Sequence, residues 1–290
     1  MRVKRVFVTI LIIAPLFLLA QSNSSSDSTV QHHTISPRRQ RSLAKKEHIK
    51  KLIEAEDDGA LVFNKQWALG LKFNTDGFSF FYEHGKYKTI DRTNLWWIEM
   101  GEKKQHNQLK MSPIIQQGDI IGPGLEILSS GTNFVYGKEN NFYQMKVGFG
   151  RQLLIGGKGS TNGVAVSAIF GGGLSVGIVK PYYLQLVDSS SATAVSDEKY
   201  SQNPSEFLDP YYIVGASSFS KGFSELTFVP GLHARGSLRF DYGKYRQTLS
   251  ALEVGLNADF YTQKITIMVQ NPGHNLFLNA YVAIDFGGRK

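Results

Sequence analysis

Two stretches near the C-terminus decide the fold: ALEVGLNADFY, Ala251 to Tyr261, and LFLNAYVAIDF, Leu276 to Phe286. In the first, Leu252, Val254, Leu256, Ala258 and Phe260 are apolar and alternate with Glu253, Gly255, Asn257, Asp259 and Tyr261. In the second, Leu276, Leu278, Ala280, Val282, Ile284 and Phe286 share one parity, and Asn279, Tyr281 and Asp285 the other. A period of two over this length specifies a β-strand, because successive side chains of a strand point to opposite faces. A soluble sheet with one wet face shows the same alternation. The number of such strands, and what precedes them, separates the two cases.

Working back toward the N-terminus, the alternation recurs. Trp67, Leu69, Leu71 and Phe73 alternate with Ala68, Gly70, Lys72 and Asn74, and the Thr75-Asp76-Gly77 turn follows. Next come Phe78, Phe80 and Tyr82; Trp96, Ile98 and Met100 within a strand near 92–104; and a short strand near 131–137 before the turn 138–141. Tyr143, Met145, Val147 and Phe149 mark a fifth strand, and Val164, Val166, Ala168 and Phe170 a sixth. The run Gly171-Gly172-Gly173 reads as a turn, after which Leu174, Val176 and Ile178 open a seventh. The eighth carries Leu226, Phe228, Leu232, Ala234, Leu238, Phe240 and Tyr242 opposite His233, Arg235, Ser237, Arg239 and Asp241. With the opening pair, the expectation is an all-β, antiparallel transmembrane β-barrel of about ten strands, within a range of 8–12.

Loop lengths point the same way. With the N-terminal side as one rim, its turns fall near 85–91, 138–141, 171–173 and 243–246. The other rim takes 75–77, 106–131, 156–162, 188–221 and 263–274, most of them longer. Short turns on one side and long loops on the other is the habit of outer-membrane barrels, and an even strand count returns both termini to the short-turn side. Closure also removes the sheet edges, which hydrocarbon does not tolerate. The competing architecture, a soluble secreted β-sandwich, would leave several wide apolar faces to cover.

The chain opens with Arg2, Lys4 and Arg5 before an apolar run from Val6 to Ala20. That is the layout of a secretory signal peptide over 1–20, cleaved near Ala20; the alternative is a retained anchor. The apolar run is short for a spanning helix, and no cysteine follows it to carry a lipid. Cysteine is absent altogether, which rules out disulfides and thiolate metal sites. The net charge of +8 is concentrated in Arg38, Arg39, Arg41, Lys45, Lys46, Lys50 and Lys51, and the remainder is close to neutral. Residues 21–60 are expected to be a disordered and basic, partly helical periplasmic arm, with a helix over 42–58. Its apolar stripe of Leu43, Ile49, Leu52 and Ile53 suits contact with anionic lipid or a partner protein. The barrel domain occupies 61–290. An exported chain rarely meets nucleic acid, and none is expected as a partner.

Several runs resemble a family of outer-membrane β-barrel proteins from Bacteroidota: YGKENNFYQMKVGFGRQ, VKPYYLQLV, KGFSELTFVPGLHARGSLRFDYGKY and NLFLNAYVAIDFGGRK. They are spread over residues 131–290. The resemblance implies location and fold more than activity. The chain ends with Gly-Gly-Arg-Lys after Phe286, which fits that family better than the terminal aromatic of proteobacterial barrels.

No catalytic constellation emerges. HExxH, P-loop and GxSxG motifs are absent. His233 and Ser237 share a face but lie about 13 Å apart along a strand, too far for a nucleophile and its base. No enzyme, cofactor or metal is expected; His32-His33 reads as part of a polar tail. The lumen-lining candidates are Lys72, Lys146, His233, Arg235, Arg239, Glu253, Asp259 and Asp285, with both signs of charge present. Inside a narrow barrel these charges must pair, since an unpaired buried charge is costly. The lumen is therefore expected to be narrow or plugged, and the protein to serve as a structural or accessory subunit of an envelope complex. A selective small-solute channel and a lipid-modifying enzyme are the alternatives. Expected partners are the outer-membrane lipids and other envelope proteins, met through the basic arm or the long loops. Lys180 with Tyr182 and Tyr183 suits an interfacial belt.

Overall fold

The computed structural model describes residues 37–57, 63–89, 91–106, 108–114, 120–122, 125–126, 131–158, 163–187, 195–245 and 247–290. The expected signal peptide, the stretch 21–36 and His32-His33 lie outside them. The chain divides into two units, Met1–Lys46 and Glu47–Lys290. A helix, α1, runs from Pro37 to Asp57, starting earlier than expected. Pro37 opens it with a residue that has no N–H to leave unbonded. Leu43 and Ile49 are about half exposed on it.

Eight strands close a barrel: β1 Lys65–Asn74, β2 Gly77–Thr89, β3 Arg92–Lys103, β4 Asn140–Gly156, β5 Ala165–Pro181, β6 Thr227–Asp241, β7 Thr248–Ile265 and β8 His274–Arg289. Each strand pairs antiparallel with its sequence neighbours, and β1 pairs with β8. The count lies at the lower end of the expected range, for two physical reasons. Gly171-Gly172-Gly173 is not a turn: β5 runs straight through it, with Gly171 paired to both Gly150 and Arg235. Residues 131–137 supply no wall strand; only Phe134–Val135 is extended, paired with Lys110–Met111 inside a loop.

One row of partners runs from Gln66 through Gly85, Leu95, Gly150, Gly171, Arg235 and Asn257 to Asn279. Extending the β8 register, it returns to β1 at position 76, ten residues (76 minus 66) further along. That stagger tilts the strands by about 40° and sets a backbone radius of about 8 Å, for a rise of about 3.3 Å and a spacing of about 4.8 Å. An interior of that width is filled by side chains.

Both ends of the barrel sheet lie at one rim, where Asn64 N–H donates to Lys290 O at 2.8 Å. That rim carries the short connections 90–91, 157–164 and 242–247; the opposite rim carries 75–76, 104–139, 182–226 and 266–273. The connection near 156–162 thus belongs to the short side and the turn expected at 138–141 to the loop side, both opposite to expectation, because residues 131–137 do not cross the wall.

The two long loops fold onto each other. A three-stranded sheet of Tyr183–Val187, Val195–Lys199 and Ile213–Ala216 packs Leu184, Leu186, Phe207 and Ile213 around Phe134 from the other loop. Thr132 Oγ1 donates to Ala216 O at 2.8 Å, and Tyr136 Oη to Leu208 O at 2.7 Å. Tyr182 is spent inside this packing rather than on a bare belt: its hydroxyl accepts from Val135 N–H at 3.2 Å.

Candidate functional site: the barrel lumen

The polarity of the barrel is inverted relative to a soluble protein. Leu71, Phe73, Phe149, Leu174, Phe228, Leu256, Leu278 and Phe286 face outward and are exposed, while charged side chains fill the inside. Leu256 and Leu278 are about two-thirds exposed; Asp259, Glu253, Lys72 and Asp285 are fully buried. Only a solvent of hydrocarbon makes that arrangement favourable. The outward side chains of β6 from Phe228 to Phe240 span about 30 Å at the strand tilt, matching a bilayer core. The barrel is a transmembrane one. Among the described residues no helix is long and apolar enough to cross a membrane.

All eight lumen candidates have their side chains inside the barrel. The alternation that turns Val254 and Leu256 outward turns Glu253 and Asn257 inward, and each strand repeats this. Sequence reasoning missed three of the ten charged residues of the network, Glu83, Glu99 and Lys103. Their parity was readable, opposite Tyr82, Ile98 and Met100, but strands β2 and β3 advertise themselves by their outward aromatic and aliphatic residues.

The charges form two linked groups. Toward the loop rim, Lys103 Nζ lies 2.5 Å from Asp76 and 3.1 Å from Asp259, and Lys146 Nζ 2.7 Å from Asp259. Asp259 meets both ammonium groups as ion pairs, without the alignment of a hydrogen bond. Lys146 also approaches Glu99 at 3.7 Å, and Lys72 Nζ donates to Glu99 at 2.6 Å, where Ser79 Oγ adds a bond at 2.9 Å. Toward the short-turn rim, Arg239 binds Glu83 at 2.7 Å, Glu253 at 2.7 Å and Asp285 at 2.9 Å. Arg235 binds Glu83 at 2.5 Å and stacks 3.8 Å from the Trp97 ring centroid. Tyr281 connects the groups: its hydroxyl donates to Glu253 at 2.6 Å and its ring carries Lys72 Nζ at 4.3 Å. In the buried part of the lumen Lys72, Lys103, Lys146, Arg235 and Arg239 thus face Glu83, Glu99, Glu253, Asp259 and Asp285 in equal numbers, and Asp76 adds a sixth carboxylate at the partly exposed loop rim. Equal numbers matter because any unmatched charge at this depth would dominate the energetics.

Both ends of the network are covered. On the loop side, Phe142, Tyr261, Ile265, Ile267 and Met268 pack into one cluster with Phe277. On the other side, Gln66 Nε2 donates to Gln152 Oε1 at 2.7 Å, Gln152 Nε2 to Ser167 Oγ at 3.1 Å, and Arg289 pairs with Asp241. Trp97 crosses between them. It lies over Gly148, Gly150 and Gly171, and a Cβ on Gly148 would sit 2.3 Å from its ring. The glycines of β4 and β5 are the space this indole occupies.

No family model and no curated protein matches this chain. Solved structures do. Neisserial surface protein A is 10% identical, with 78% of this chain and 94% of that one covered at a TM-score of 0.33. The N-terminal β-barrel domain of Pseudomonas aeruginosa OprF is 9% identical, with 78% and 98% covered at 0.31. The attachment invasion locus protein Ail of Yersinia pestis is 7% identical, with 78% and 99% covered at 0.32. At that level of superposition nothing about this chain's work follows from theirs.

The one nucleophile–base combination raised by the sequence does not assemble. Ser237 Oγ donates to Glu253 Oε1 at 2.8 Å, while His233 stands against Trp97 with ring centroids 5.8 Å apart. Among the described residues no three His, Asp or Glu side chains are placed to hold a metal ion.

Proposed function

We propose that this protein is a bacterial outer-membrane barrel with an occluded lumen, acting as a structural or accessory subunit of an envelope complex. The observation that carries this reading is the pair of ion-paired groups that Tyr281 joins, which together cross the lumen from Asp76 to Arg235 and are covered at both ends. A hydrated ion entering it would have to break contacts that are costly to leave unpaired. The signal-like start of the chain, cleaved near Ala20, supports export, and the resemblance of 131–290 to Bacteroidota barrels supports the envelope as destination. The termini then lie in the periplasm, with the basic arm of α1, and the folded pair of long loops lies outside. Those two regions are the contact surfaces for other envelope proteins.

Reconstitution in planar bilayers tests this: the full chain is expected to give no unitary conductance at applied potentials where a general porin does. Steady single-channel steps would replace the accessory reading by the selective channel. Mild detergent extraction is expected to yield the barrel with other envelope proteins attached; hydrolysis of lipid by the purified protein would point instead to the enzyme.

A further inference from the structure

The loop-side rim is uneven. β1 and β2 are joined by Thr75-Asp76 alone, whereas β7 extends to Ile265 and β8 begins at His274. Among the described residues no strand pairs with β8 on its β1 side beyond Tyr281, opposite Asn74; Thr75 N–H then reaches Ala280 O at 2.9 Å. By the alternation of an antiparallel ladder, the main-chain N–H and C=O of Leu278 and Leu276 face the gap. Above it lies a cleft of about 410 Å³, with Lys103, Lys104, Gln105 and His106 on one side and Asn271 and His274 on the other. Below it, on the outer wall, lies a second hollow of about 510 Å³. Its floor is Ala234, Gly236, Ala258 and Ala280, and Leu256 and Leu278 are its walls. Thr75 and Leu278 line both hollows.

We infer that the two hollows are one site for a lipid of the surrounding leaflet with a net anionic phosphate head, the head in the rim cleft and an acyl chain in the wall trough. The trough is continuous with the apolar band that already faces hydrocarbon, so its occupant is an acyl chain. The cleft supplies charge complementarity. Lys103 is held by Asp76 and Asp259, but Lys104 is half-exposed, pairs with Glu102 at 3.4 Å and hangs over the Phe78 ring at 5.5 Å. A loose surface pair of that kind is worth little and yields its cation to a phosphate. The main-chain N–H groups of Leu276 and Leu278, which no described strand covers, add donors. An extended peptide would use the strand edge but leave the trough empty. The site is independent of whether the lumen conducts.

The test uses the full chain in detergent, exchanged against mixed phosphatidylglycerol and phosphatidylcholine vesicles, with retained adducts read by native mass spectrometry. One phosphatidylglycerol is expected per barrel, preferred about fivefold over phosphatidylcholine, the worth of one basic side chain at a membrane surface. Lys104→Glu is expected to abolish the preference, and Ala258→Phe to abolish retention. Leu252→Phe, on the same outer face but outside the trough, is expected to leave both intact, and circular dichroism checks that each variant folds. Equal retention of the two lipids by the wild-type chain, retention unchanged in both site variants, or a polypeptide adduct in place of lipid would each overturn the inference.

Discussion

Arg239 gathers carboxylates from three strands, Glu83 of β2, Glu253 of β7 and Asp285 of β8, and is itself fully buried. Replacing it by Met keeps volume but leaves three carboxylates facing one another. Arg239→Met is expected to lose about 3–5 kcal/mol, the usual cost of breaking a buried ionic network. Urea unfolding from lipid vesicles measures this, and a loss under about 1 kcal/mol would show that lumen water already screens these charges. The exposed pair of Lys221 with Asp197, at 3.0 Å, makes the contrast: Lys221→Ala is expected to cost under about 1 kcal/mol in the same assay. Gly148 is sensitive for a steric reason. Gly148→Ala puts a methyl group against the Trp97 ring and is expected to cost about 1–3 kcal/mol, with a changed near-ultraviolet dichroism from the displaced indole.

At the scale of elements, the wall strands were legible wherever outward residues are large and alternate. The glycine run of β5 was not, although Phe170 and Leu174 keep the same parity across it. Glycine marks both a turn and a place where another side chain comes close, and local sequence does not distinguish them. Only Trp97, lying across Gly171 from a strand more than seventy positions earlier, does so. The loop 217–226 is held by Glu225, which accepts from Tyr183 Oη at 2.7 Å and pairs with Lys199. The bonds from Lys199 and Tyr183 hold the Glu225 carboxyl below the usual carboxylate range, and the Tyr183 hydroxyl is pushed up to about 12. A lowered carboxylate stabilises above its unfolded value and loses that contribution as the pH falls through its folded one. Amides of 217–226 are therefore expected to exchange faster below about pH 4, after correction for intrinsic rates. Glu225→Gln is expected to remove that dependence. Exchange equally pH-independent in both proteins would mean that the loop is held by its apolar contacts alone.

At the scale of the whole molecule, the three tryptophans report the inversion of polarity. Trp67 and Trp96 face outward and Trp97 inward, so the adjacent pair is divided by the wall itself. Single-tryptophan variants in vesicles with brominated acyl chains are expected to show strong quenching of Trp67 and Trp96 and little of Trp97. Quenching of Trp97 to the same degree as Trp96 would be incompatible with the barrel in its membrane.

The sequence by itself determined that the chain crosses a bilayer as an alternating antiparallel barrel, which rim carries the long loops, and most of the charged residues that point into the lumen. It could do so because parity is a local property: each residue's face follows from its neighbours along the strand. The tertiary structure alone decided that eight strands close the wall, that Trp97 fills the space over Gly148 and Gly171, and that Glu83 and Glu253 converge on Arg239. Those facts depend on the stagger of closure, which brings residues far apart in the chain to the same height, and no local pattern encodes that height.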